Sequence, residues 1–190
     1  MASVFDILTR DHEEVRSMLG ELTTGPTAAS GASEDELLLR KRMTEQLIIE
    51  VSGHESVEEM FFWPAVRQKV VGGDALADEA AVQERMAKDL LNRLDKLDAS
   101  EAAFEDLLAM FITAALEHME FEETRVWPPL SMGLTAAEAE DLGGQLAVAK
   151  QAAPTRPHPN IPGTPGLQKT AGPIAGIADA IRDIATGRGE

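Results

Sequence analysis

The segment His54-Glu-Ser-Val-Glu58-Glu59-Met-Phe-Phe-Trp63-Pro64 returns, 64 positions on, as His118-Met-Glu-Phe-Glu122-Glu123-Thr-Arg-Val-Trp127-Pro128. Both copies read H-x-x-x-E-E-x-x-x-W-P without a gap. The chain has only four His and two Trp, so the repeat draws on its scarcest residues. On a helix, residues four apart lie on one face, one turn apart. Each copy therefore places an imidazole beside a carboxylate, His54 with Glu58 and His118 with Glu122.

Apolar residues recur at helical spacing on both sides of each copy. Leu47, Val51, Phe61/Phe62 and Ala65 continue the stripe of His54 and Glu58 along a helix spanning about 34–71. Phe104, Leu108, Phe111, Ala115 and Val126 continue that of His118 and Glu122 along a helix of about 100–131. Both motifs thus face a core. A proline inside a helix removes a backbone hydrogen bond, so Pro64 predicts a kink one to two turns past Glu58.

Two more helices complete the pattern. Residues 4–22 carry Phe5, Leu8, Val15, Leu19 and Leu22, with His12 filling the gap in the stripe. Residues 74–97 carry Ala80, Ala87, Leu91 and Leu94, with Glu84 in the equivalent gap. Setting the first helix on the third pairs Leu8 with Ala80, His12 with Glu84 and Leu19 with Leu91. The chain reads as a duplicated helical hairpin, which predicts an all-α, up-down-up-down antiparallel four-helix bundle over residues 1–132. Ser33–Glu36 and Thr135–Glu138 read as capping boxes, opening the second helix and a short additional helix within 133–152. Residues 153–190 form a Pro/Gly-rich tail with a short terminal helix over about 174–185, suited to contact with a second copy or a partner protein.

The composition narrows the function. A net charge of −16 argues against nucleic-acid or anionic-membrane partners, which need Lys/Arg patches. Cysteine is absent, which removes disulfides, thiolate zinc sites and iron–sulfur clusters. The first residues, MASVFDILTRDHEE, lack the apolar stretch of a signal peptide. No apolar run approaches the ~20 residues of a membrane span. A cytoplasmic location is the default expectation.

His12, His54, Glu58, Glu84, His118 and Glu122 all lie on inward stripes, near mid-helix. Burying them without compensation is costly, and Arg16, Arg40, Lys88 and Arg125 fall off those stripes. Three imidazoles and three carboxylates without a basic partner describe a cation site suited to iron, manganese or zinc. Trp63 and Trp127 read as packing residues. Glu59 and Glu123 are expected to face solvent or to touch the ligands from outside, and His158 to be solvated or structural.

R-D-H at residues 10–12, the two H-x-x-x-E-E…W-P segments and the tail RPHPNIP…AGP together resemble the haemerythrin-like (HHE cation-binding) family. The resemblance implies two irons joined by an oxo or hydroxo bridge. Glu58 and Glu122 would bridge them, His12 and His54 would ligate one, and His118 the other. The family usually places a His on the third helix, whereas here Glu84 occupies that position and is expected to replace it. Glu55, beside His54, is the other candidate. Ferritin-like di-iron proteins use E-x-x-H instead, and neither His54 nor His118 has a Glu three residues earlier.

An added carboxylate favours Fe(III) over Fe(II) and lowers the reduction potential. The expected function is a non-haem di-iron protein that binds or reacts with small oxidants: H2O2, NO or O2. Whether it turns them over, as a peroxide- or nitric-oxide-consuming oxidoreductase of catalase or peroxidase type active in oxidative stress, stays open. The alternatives are an iron- or oxygen-responsive sensor or binding module, and reversible O2 carriage or iron storage.

Overall fold

The computed structural model describes residues 2–158 together with positions 176, 178, 179 and 183. Helix α1 spans Val4–Thr24, and a single 3-10 turn, Ala28–Ser30, interrupts the loop that follows. The second helical run comprises α2 (Glu34–Val57), a π-turn (Glu58–Phe62) and α3 (Trp63–Lys69). Helix α4 is Gly73–Leu94. The fourth run repeats the second, with α5 (Ala102–Phe121), a π-turn (Glu122–Val126) and α6 (Trp127–Gly133). Helix α7 is Ala136–Lys150. The four long runs form the expected helical bundle. Most of the terminal helix expected over 174–185 lies outside the described residues.

Local chemistry explains the boundaries. Ser33 caps α2 and Thr135 caps α7 as reciprocal boxes with Glu36 and Glu138, and Ser3 does the same for α1 with Asp6. Gly72 takes a left-handed φ of 76° between α3 and α4, a conformation that costs glycine little. A side chain on Gly73 would strike the Val66 carbonyl oxygen at 2.1 Å, so α4 leaves α3 through a glycine-only gap.

Pro64 acts differently from the expected kink, and Pro128 repeats its effect in the fourth run. Pro64 has no N–H for the carbonyl four residues back and its ring crowds that turn. The disruption begins at the glutamate itself, where the chain widens into a π-turn. Trp63 N–H donates to the carbonyl of Glu58, five residues earlier, and Trp127 N–H donates likewise to Glu122. Each π-turn opens on a motif glutamate, so the proline fixes how that carboxylate leaves the helix.

Two apolar clusters fill the bundle. One holds Leu8, Val57, Phe62, Val66, Ala80, Val126 and Leu130, and α7 adds Leu142 and Leu146 to it. The other holds Val15, Leu19, Leu47, Val51, Ala87, Leu91, Phe104, Phe111 and Ala115. His12 lies between Leu8 and Val15 in the chain, His54 between Val51 and Val57, and Glu84 between Ala80 and Ala87. The polar residues therefore form one layer across the bundle, closed above and below by hydrocarbon. Among the described residues no helix is long and apolar enough to cross a membrane.

Candidate metal centre

All six inward polar residues are buried and converge. Glu58 and Glu122 are fully enclosed, and His12, His54, Glu84 and His118 are at most 8% exposed. Donor atoms of His12, His54, Glu58 and Glu122 lie within 4.8 Å of one another, as do those of Glu58, Glu84 and His118. Glu58 belongs to both groups. Glu122 also spans them, with Oε2 3.2 Å from His12 Nε2 and Oε1 3.2 Å from His118 Nε2. His54 Nε2 approaches Glu58 Oε2 at 3.3 Å.

Each imidazole turns Nε2 inward and Nδ1 towards an outer acceptor. His12 Nδ1 is 2.8 Å from Glu123 Oε1, and Arg16 grips that carboxylate with two hydrogen bonds of 2.8 and 2.9 Å. His118 Nδ1 is 2.8 Å from Gln83 Oε1. His54 Nδ1 faces Asp11 at 3.5 Å, too long for a hydrogen bond, while Lys150 holds Asp11 from the far side at 2.9 Å. An outer acceptor on Nδ1 fixes the tautomer that leaves Nε2 free to ligate. Trp127 stacks on His12 with ring centroids 5.1 Å apart, and Trp63 donates its indole N–H to Glu84 Oε1 at 2.5 Å.

The inner face lacks hydrogen-bond partners. His12 Nε2, His54 Nε2, His118 Nε2 and both oxygens of Glu58 and of Glu122 are buried without one. Such atoms are rare in a folded protein, because leaving each one costs its full desolvation. Here they share one space, and every carboxylate oxygen among them is an acceptor. A multivalent cation satisfies them together, so the residues present fit a metal.

Protonation in the metal-free protein tells the same story. Burial, reinforced by Glu122 and other carboxylates nearby, pushes Glu58 well above the usual carboxylate range. Burial also pushes Glu84 far up, against the pull of Lys88. Burial alone would lower His118, but the Glu122 carboxylate beside it raises it to about 9. Glu122 is held far down despite its burial, because His118 and His12 face it. The layer can keep only some of its carboxylates ionised by itself, and a bound cation removes that limit.

Glu55 stands apart from the two groups. Its Oε2 lies 3.8 Å from Lys88 Nζ and has no hydrogen-bond partner, and burial raises it to about 7. It borders a cavity of about 30 Å3 whose lining includes His12, His54, His118, Val51 and Phe111. Of the two candidates on the His118 side, Glu84 is the one grouped with Glu58 and His118.

Several neighbours differ from the sequence-based expectation. Lys88 is buried, and its ammonium donates to Glu59 Oε1 at 2.6 Å. It lies one turn from Glu84 on α4, next to the inward stripe, so a basic residue does reach the outer edge of the layer. Glu59 is buried with it, whereas Glu123 contacts His12 from outside. His158 pairs with Asp179 at 2.8 Å. Asp11, Gln83 and the indole N–H of Trp63 were not anticipated as neighbours of the site. Their only sequence signal is adjacency: Asp11 precedes His12, Gln83 precedes Glu84, and Trp63 is repeated at Trp127.

A helical bundle crossed by one buried layer of imidazoles and carboxylates defines a cation-binding class. Residues 3–130 match the family described as Hemerythrin HHE cation binding domain, and the chain belongs to that family. The crystal structure of a hemerythrin HHE cation binding domain-containing protein from Mycobacterium kansasii is similar, with a TM-score of 0.66 and 24% identity. The match covers 80% of this chain and 86% of that one, and at that identity it speaks for the fold. No curated protein matches the chain.

Proposed function

We propose that this chain is a non-haem di-iron protein that binds or reacts with small oxidants: H2O2, NO or O2. The observation that carries the reading is the position of Glu122, with one oxygen turned to His12 and the other to His118. A carboxylate shared in this way, with Glu58 common to both groups, supports two ions rather than one. His12 and His54 would hold the first ion, His118 and Glu84 the second, and Glu58 and Glu122 would bridge.

Bound iron would supply electrons and an open coordination position for a small oxidant. The chain does the rest. The two apolar clusters keep bulk water from the layer. The cavity beside His12, His54 and His118 has room for a guest of diatomic size, and Val15, Val51, Ala87, Phe111, Ala115 and Met119 complete its lining with Glu55. Glu84, an anionic ligand in an imidazole's place, favours the ferric state and so weighs against reversible oxygen carriage. Glu123 and Gln83 hold the Nε2 atoms of His12 and His118 aimed inward, and Asp11 faces His54 Nδ1.

The test is elemental analysis and a visible spectrum of freshly purified protein, followed by peroxide, NO and O2. About two irons per chain and a spectrum that responds to at least one oxidant are expected. An iron-loaded protein indifferent to all three ends this reading.

A further inference from the structure

Helix α2 and the π-turn after it carry a second buried polar stripe that the metal layer does not use. Ser52, Glu55, Ser56 and Glu59 follow helical spacing and are all at most 6% exposed. Lys88 faces them from α4. Across the outside runs the start of the tail, where Pro154, Arg156, Pro157 and His158 close a cavity of about 20 Å3 over Ser52, Ser56, Glu59 and Lys88. The tail segment touches α2 at Gly53, where an added Cβ would meet Ala153 Cβ at 3.7 Å. Arg156 ties it down through Asp95 at 3.4 Å and Asp183 at 2.6 Å.

Four polar atoms of the lining residues are buried without hydrogen-bond partners: Ser52 Oγ, Ser56 Oγ, Glu59 Oε2 and Arg156 Nε. The hydroxyls both donate and accept, the carboxylate accepts and the guanidinium donates. A guest here must therefore accept and donate in a small volume. Lys88 and Arg156 disfavour a cation, and Glu59 disfavours an anion. The cavity is large enough for a molecule of water size. From it, Glu59 leads to Lys88, Lys88 to Glu55 at 3.8 Å, and Glu55 borders the cavity beside His54 and His118.

We propose that this tail-covered cavity is a station for small neutral hydroxylic molecules, occupied by water at rest and by hydrogen peroxide on its way to the metal centre. It gives a polar guest a hydrogen-bonding stop outside the cavity beside the imidazoles, whose apolar lining of Val15, Val51, Ala87 and Phe111 suits NO and O2. The peroxide assignment rests on the function proposed above, whereas the binding of a hydroxylic guest does not.

Two measurements test it. A crystal structure of the as-isolated protein should show a solvent peak hydrogen-bonded to Ser52 Oγ or Ser56 Oγ, and a peroxide soak should lengthen that peak to two oxygens. In iron-loaded protein, Ser52→Val with Ser56→Val should raise KM for peroxide about 10-fold, as expected for losing one to two hydrogen bonds, while NO binding read from the visible spectrum is unchanged. If the valine pair does not fold, Ser52→Ala with Ser56→Ala keeps the space and removes only the hydroxyls, with the same expected direction. A dry cavity overturns the proposal, as does equal impairment of peroxide and NO. A peak that lengthens in a protein inert to peroxide, NO and O2 alike sinks the proposed function and leaves the station standing. A peak that never lengthens overturns the peroxide assignment.

Discussion

Stripping the metal should leave a folded protein whose stability falls as pH rises, and restoring the metal should reverse that slope. In the metal-free protein Glu122 holds His118 up at about 9, from an ordinary 6.5. Below pH 6.5 the folded and unfolded chains both carry that proton, and its contribution is fully present. Between 6.5 and 9 the unfolded chain loses the proton while the folded chain keeps it, so stability declines; above 9 the contribution is gone. The gap corresponds to about 3 kcal/mol, or roughly 6–12 °C in Tm for a domain of this size. Glu58 and Glu84, both raised by burial, act in the same direction, their contributions declining as pH rises above the ordinary carboxylate value of 4.5. Glu122, held low, gives up its contribution only in acid. The assay is urea unfolding of chelator-treated protein, followed by far-ultraviolet circular dichroism at pH 6.5 and 9. Metal at 100 times its Kd adds about 2.7 kcal/mol per site, and its Kd tightens with pH as the ligands deprotonate. Metal-free protein equally stable at both pH values, or more stable at 9, would refute the protonation pattern and the buried layer behind it.

Removing a shared carboxylate should cost more than one ion. Glu58→Ala and Glu122→Ala are each expected to bring bound metal below about one equivalent by elemental analysis, since each oxygen pair serves both positions. Glu84→His should keep the metal and raise the reduction potential; an unchanged potential would show that Glu84 is no ligand. Trp63→Phe removes the hydrogen bond to Glu84 Oε1 and should weaken metal affinity about 10–100-fold with an unchanged far-ultraviolet spectrum. Glu123→Ala frees His12 Nδ1 and should weaken it similarly, read by competition with a chromogenic chelator.

The fold was legible because its signal is periodic. Leu8, Val15, Leu19 and Leu22 repeat against Ala80, Ala87, Leu91 and Leu94, and a 3.6-residue period assigns a face without reference to any other helix. His12 and Glu84 were found as breaks in that period, and His54, Glu58, His118 and Glu122 by repetition. Pro64 was legible as a disruption, but not its form, because a π-turn and a kink both release the same backbone bond.

What surrounds the ligands was not legible. Lys88 lies beside the inward stripe of α4, and only the approach of α2 turns it into the partner of Glu59. Asp11, Gln83 and Glu123 meet imidazoles on other helices, and Trp63 reaches Glu84 from the run before it. The sequence by itself determined the bundle, its inward faces and the six converging residues, because helical geometry converts spacing into direction within one element. The tertiary structure alone decided which oxygen faces which nitrogen, that Glu84 rather than Glu55 joins Glu58 and His118, and that the tail covers a second polar stripe. Those are distances between separate helices, set by how their side chains interlock, and no spacing along the chain encodes them.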